Sequence, residues 1–199
     1  MLFTTKTLLH QKHGYPDHCR HFFADHPPVA DDEPIPLTDV LERSGLDDAL
    51  WCLRATTEPC EQFARLLAAD FAEHVLRLFE AKYLDDPAPR RAIEVARRFA
   101  RGQATDEWLK DARRAVAAAA ADAADAAARA DAADAAYAVA RAAYAAAEAA
   151  KAAGCATADP AYAAAYAAAG RAAAAKADAA DAERRWQTEK FKEALLAHN

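Results

Sequence analysis

The residues best suited to chemistry crowd the start of the chain. His10, His13, His18, Cys19, His21 and His26 place five of the seven histidines and one cysteine within 17 residues. Imidazole and thiolate are zinc ligands, and a structural zinc site takes four of them as two short-spaced pairs. His18, Cys19 and His21 are the residues that could converge, joined by His10 or His13. No Cys-x-x-Cys is present and the spacing fits no standard finger, so the expectation is packing and surface histidines with no bound metal. His74 stands alone next to Val75 on a long helix, where a satisfied or half-exposed core histidine is expected. No Gly-rich phosphate loop, Gly-x-Ser-x-Gly elbow or His-Glu-x-x-His occurs. Carboxylates are plentiful but solitary, with none paired for acid–base work. The expected protein is non-catalytic and without a cofactor.

Two other groups suit recognition rather than catalysis. Arg90, Arg91, Arg97, Arg98, Arg101, Arg113 and Arg114 form the sharpest electrostatic feature, and Arg90, Arg97 and Arg101 share a helical side. Glu94 lies among them, so the set either compensates itself or docks an acidic partner, including the chain's own acidic residues 31–48. Tyr137, Arg141 and Tyr144 fall on one helical stripe, with Tyr162 and Tyr166 on the following helix. Tyrosines among alanines are either pegs against a neighbouring layer or an exposed recognition surface, since aromatic residues are enriched in interface hot spots. The candidate partner-binding residues are therefore Tyr137, Arg141, Tyr144, Tyr162, Tyr166, Arg90, Arg97 and Arg101.

These groups need elements to hold them, and composition restricts which. The 199 residues carry 5 glycines and no run of β-branched and aromatic residues, so an all-α chain is expected. Thr5 is placed to cap a first helix that Gly14 ends, and Pro16 to open a second. Four prolines and three acids make 26–36 a linker or extended strap. Thr38 is expected to cap the next helix, with Gly45 as its stop, and Asp47 to open a third. A long helix from about Glu58 to Leu84 aligns Phe63, Leu66, Leu67, Phe71, Val75, Leu78 and Phe79. Asp85-Asp86-Pro87 ends it and supplies a cap for the next, about 88–101, which presents Ile93, Val95 and Phe99 before Gly102. The expected division is a small helical segment, 1–55, and a main domain, 56–199. Cys52 and Cys60 flank a helix junction as buried thiols.

Thr105 or Asp106 caps an alanine-rich segment, and 106–153 contains neither Pro nor Gly. As one straight helix it would span roughly 70 Å at about 1.5 Å per residue. Gly154 and Asp159-Pro160 make a short turn, so 106–197 reads as a long antiparallel alanine-rich hairpin. A flat alanine face brings two helix axes to the near end of their usual separation, within one chain or between two. A homodimer joined through such faces is therefore left open. Ice binding is excluded because 106–187 contains only Thr157, without regularly spaced threonines.

The net charge of −6 is spread without a basic block, which disfavours direct nucleic-acid binding and is too even for a DNA mimic. Lys6 and His10 interrupt any leader, and no strongly apolar run is long enough for a membrane span. The four scattered cysteines suit a reducing cytoplasm.

The stretch from "ALWCLRAT" through "LFEAKYLDDPAPRRAIEVARRFARG" to the first alanines resembles the alanine-rich helical immunity proteins of bacterial polymorphic toxin systems. The positions that carry it are Leu78, Phe79, Glu80, Asp86, Pro89, Arg90, Ala92, Ile93, Glu94, Ala96, Arg97 and Gly102, with Phe99 where the family usually has tryptophan. It extends over about residues 49–185. The first 55 residues look like the opening of small phage and prophage proteins. The resemblance implies a protein inhibitor that neutralises a toxin or, like an anti-CRISPR, a host defence complex. The partner would then be a protein or nucleoprotein complex. The rival readings are a scaffolding protein acting through self-association and a metal-dependent enzyme built on the N-terminal His/Cys group.

Overall fold

Residues Leu2–Thr4 enter extended, because Phe3 and Thr4 are claimed from two sides. The Leu37 N–H donates to the Leu2 carbonyl and the Thr57 N–H to that of Phe3. Strand β1 (Phe3–Thr4) thus pairs antiparallel with β2 (Ile35–Pro36), and Thr4 also bridges Thr56. The computed structural model describes residues 1–13, 30–80, 85–112, 114–115 and 177–198. Among them the chain is an all-helical bundle with this one minimal strand pairing. The expectation of no strand is corrected to that extent. Two residues carry no readable alternation, and the pairing is driven by burial of Leu2 and Thr4, whose hydroxyl donates to the Ala55 carbonyl.

Helix α1 (Lys6–His13) starts at the expected cap, the Thr5 hydroxyl accepting from the Leu8 N–H at 3.1 Å. Helix α2 (Leu37–Ser44) begins one residue before the expected cap. Pro36, extended at φ −61° and ψ 137°, turns the chain into the helix, leaving Thr38 inside the first turn with no capping bond. Gly45 stops α2 at φ 86°, a conformation that favours glycine, and also starts α3 (Leu46–Cys52). A 3-10 turn, Leu53–Ala55, follows.

Helix α4 (Glu61–Glu80) packs most extensively on α5 (Ala88–Ala100). Alanine controls that contact. Ala69 and Ala72 are buried on α4, and Ala92, Ala96 and Ala100 on α5, whereas Ala64 and Ala68 join the main hydrophobic cluster. With no side chain beyond Cβ, the two backbones can approach closely. Ile93 joins the buried face, but Val95 and Phe99 are only half-buried, because alanines four apart set the phase of α5. Leu66 is half-buried as well, and the side chains of Val75, Leu78 and Phe79 lie outside those described. Asp86 caps α5 through the Ala88 N–H at 2.9 Å. Gly102, at φ 70°, closes α5 and leads to a helical segment α6 (106–112), whose Thr105 hydroxyl accepts from the Trp108 N–H.

The last helix, α7 (Ala177–Ala197), completes the core. Glu183, Gln187, Phe191 and Leu195 recur every fourth residue and are all buried. Phe191 meets Phe63 at 6.0 Å between rings, and Trp186 meets Phe71 edge-on at 6.1 Å. One hydrophobic cluster runs from Leu2 and Leu9 through Val40, Leu50 and Phe71 to Phe191 and Leu195. Ion pairs Lys192–Glu42 and Arg184–Asp47 tie α7 to α2 and α3. Cys52 and Cys60 are buried thiols not joined in a disulfide, and Cys60 donates to the Leu53 carbonyl at 3.0 Å.

Candidate protein-binding surface

Adjacent arginines on a helix lie about 100° apart, and arginines seven residues apart return to one side. Helix α5 therefore carries two arginine rows, Arg90 with Arg97 and Arg91 with Arg98. They meet different surroundings.

The first row faces the carboxylates of α4. Arg90 grips Glu80 with two bonds of 2.6 and 2.7 Å and approaches Glu73 at 3.8 Å. Arg97 donates to Asp70 at 2.6 Å and to Glu73 at 2.7 Å, and Lys190 of α7 reaches Asp70 at 3.6 Å. The hydrogen bond from Arg97 holds the Glu73 carboxyl below its ordinary value. The bonds to Glu73 and Asp70 in turn raise Arg97, outweighing its partial burial, and Glu80 does the same for Arg90. These are charge-assisted bonds that clamp α5 to α4. Of the four arginines expected to bind a partner, Arg90 and Arg97 are held by carboxylates of α4, Arg90 while half exposed. Arg101 is exposed at the end of α5 and makes no ion pair among the described residues.

The second row faces outward. Arg91 and Arg98 are exposed and line an open groove of about 500 Å³ between α5 and α6, together with Glu94, Val95, Trp108 and Asp111. Trp108 is 48% exposed, and the Arg98 guanidinium lies over its ring at 5.0 Å. Neither arginine forms an ion pair among the described residues, whereas Asp111 is taken up by Arg114 at 3.2 Å. Sequence reasoning passed over Trp108. The available signal was a tryptophan in the first turn of a polar helix, where nothing in the pattern calls for a large apolar residue.

His74 is satisfied, as expected. Its ring stacks on Trp186 at 3.6 Å and 5° between planes, and Nδ1 lies 2.7 Å from Glu183 Oε2. Glu183 is 4% exposed, and its other oxygen accepts from Gln187 Nε2 at 3.0 Å. This small polar network joins α4 to α7. Tyr137, Arg141, Tyr144, Tyr162 and Tyr166 lie outside the described residues, as do His18, Cys19 and His21. Among the described residues, no group of three or more His, Cys, Asp and Glu is placed to hold a metal ion, and no helix is long and apolar enough to cross a membrane.

A family model described as "Imm-5 like putative immunity protein" matches residues 56–194, from before α4 to near the end of α7. No curated protein and no solved structure matches the chain.

Proposed function

The chain belongs to the Imm-5 like family of immunity proteins, and on that premise we propose that it neutralises a toxin of the polymorphic class by binding it. The observation that carries this reading is the extent of the match. Residues 56–194 include α4, α5 and α7, the frame whose outer side presents the arginine and tryptophan groove. An inhibitor of this kind acts by occupancy and does no chemistry on its target.

Rigidity suits that task, because a surface ordered before binding loses less conformational entropy on association. The Arg90 and Arg97 clamps and the alanine contact between α4 and α5 supply it. The binding surface we assign combines the outward side of α5, with Arg101 at its end, and the tyrosine stripe Tyr137, Arg141, Tyr144, Tyr162 and Tyr166. That stripe belongs to an antiparallel alanine-rich hairpin, a reading supported by helix at 106–112 and again from Ala177. The buried thiols of Cys52 and Cys60, which form no disulfide, are compatible with action in the cytoplasm, where disulfides are rare.

The test is growth protection. Each toxin domain encoded in the same genome is induced in a bacterial host with and without this chain. Restored growth with one toxin, together with a stoichiometric complex on size exclusion, is the expected result. A folded, expressed chain that leaves every such toxin lethal overturns the reading.

A further inference from the structure

Resting on the immunity reading, we propose that the groove between α5 and α6 receives an acidic segment of the toxin, with carboxylates on Arg91 and Arg98 and an apolar neighbour on Trp108. The juxtaposition behind this is specific. Arginines one residue away, Arg90 and Arg97, have their charge met by Glu80, Glu73 and Asp70. Arg91 and Arg98 have no such carboxylate among the described residues, yet both line the same groove.

Arg98 is also held in place. The Arg98 guanidinium carbon lies 5.0 Å from the centre of the Trp108 ring, and a guanidinium seated over an aromatic face can keep its in-plane N–H donors for a carboxylate. Trp108 is one of three large apolar residues exposed among the described ones, with Met1 and Leu196, and the aromatic one of the three. Tryptophan and arginine are the residue types that dominate binding energy at protein interfaces.

The groove's own carboxylates refine the fit. Asp111 is paired with Arg114 at 3.2 Å on the exposed rim of the groove. Glu94 lines the groove between Arg91 and Arg98, three residues after one and four before the other. An incoming acid opposite Glu94 would be repelled. The groove therefore suits two carboxylates that straddle Glu94, about 10 Å apart from the helical rise between Arg91 and Arg98. A basic partner segment would find Glu94 attractive and both arginines repulsive, the opposite pattern.

The toxin domain identified by the growth assay is the probe, titrated against wild type and variants at two salt concentrations. The double reversal Arg91→Glu with Arg98→Glu should weaken binding by about a hundredfold or more, and Trp108→Ala by about tenfold. Glu94→Gln should tighten it severalfold. Arg98→Lys, which keeps charge but loses the planar fork, should fall between wild type and the reversal, and it decides the matter if the reversed chain does not fold. Wild-type affinity for the reversed but folded chain overturns the groove assignment and leaves the immunity reading standing. Tighter binding by the reversal and weaker binding by Glu94→Gln mean a basic partner segment, which also overturns it. A wild-type chain that binds no toxin fails the immunity reading, and the groove assignment falls with it.

Discussion

Arg97 and Arg98 are neighbours in sequence and opposites in role. Arg97 is enclosed by Asp70 and Glu73 and fastens α5 to α4, whereas Arg98 is exposed on the ring of Trp108. The same contrast separates Arg90 from Arg91. Residue type does not decide between clamp and contact. The decision belongs to what stands opposite, acids spaced along α4 on one side and an open groove on the other. The inner side has Arg90 and Arg97 paired with carboxylates of α4. The outer side keeps cations and a tryptophan in water, where they contribute little to folding and are free to bind.

The contrast predicts large folding effects inside and none outside. The largest is expected at Glu183, which is buried and shared by His74 and Gln187. Glu183→Ala would strand both partners at the α4–α7 contact and should cost about 2–3 kcal/mol, the range for leaving buried polar groups unbonded. Chemical denaturation monitored by circular dichroism and tryptophan fluorescence measures it. A loss below about 0.5 kcal/mol would mean that water replaces the carboxylate freely, and the inner side would be less closed than described.

Arg97→Ala should come next, at about 1–2 kcal/mol, because Asp70 and Glu73 lose their shared cation and keep only the longer contacts to Lys190 and Arg90. It also has a pH signature. Glu73 is lowered by its hydrogen bond from Arg97, so the stabilisation is present above the ordinary carboxylate range near pH 4.3 and is lost as pH falls through the depressed folded value. The gap between wild type and Arg97→Ala should therefore be widest near neutrality and narrow in acid. Denaturation at about pH 7 and about pH 3 tests this. A gap that stays constant would assign the effect to packing of the arginine stem.

Much of the frame was legible because its punctuation is local. Thr5, Gly45, Asp86, Gly102 and Thr105 act where their residue types say a helix should start or stop. Thr38 failed because Pro36 offered a competing start with its φ already set. On α7, the buried stripe opens with Glu183 and Gln187, residues that a hydrophobicity pattern assigns to solvent, so half of its buried face could not be seen. The two arginine rows of α5 follow from helical period alone. Which row meets α4 depends on the alanine phase of the contact, and Val95 and Phe99 pointed to a different phase. Trp108 joins Arg98 only through the turn at Gly102, and the angle of that turn is not written in any spacing.

The smallest expected effect is the most discriminating. Arg91→Ala with Arg98→Ala should leave stability within about 0.5 kcal/mol of wild type, as for surface substitutions that break no buried partner. Two terms could spoil that result. Arg98 loses its place over Trp108, worth about 0.5–1 kcal/mol at an exposed site. Against this, alanine has the higher helix propensity at both positions, and the repulsion between two unpaired cations is relieved. The terms oppose each other, so near-neutrality is the expected balance, read as an unchanged denaturation midpoint and slope. If the double variant instead unfolds as readily as Arg97→Ala, the outer arginines are structural after all. The α5–α6 groove would then be part of the core that α4 and α5 share, not a face left open for a partner.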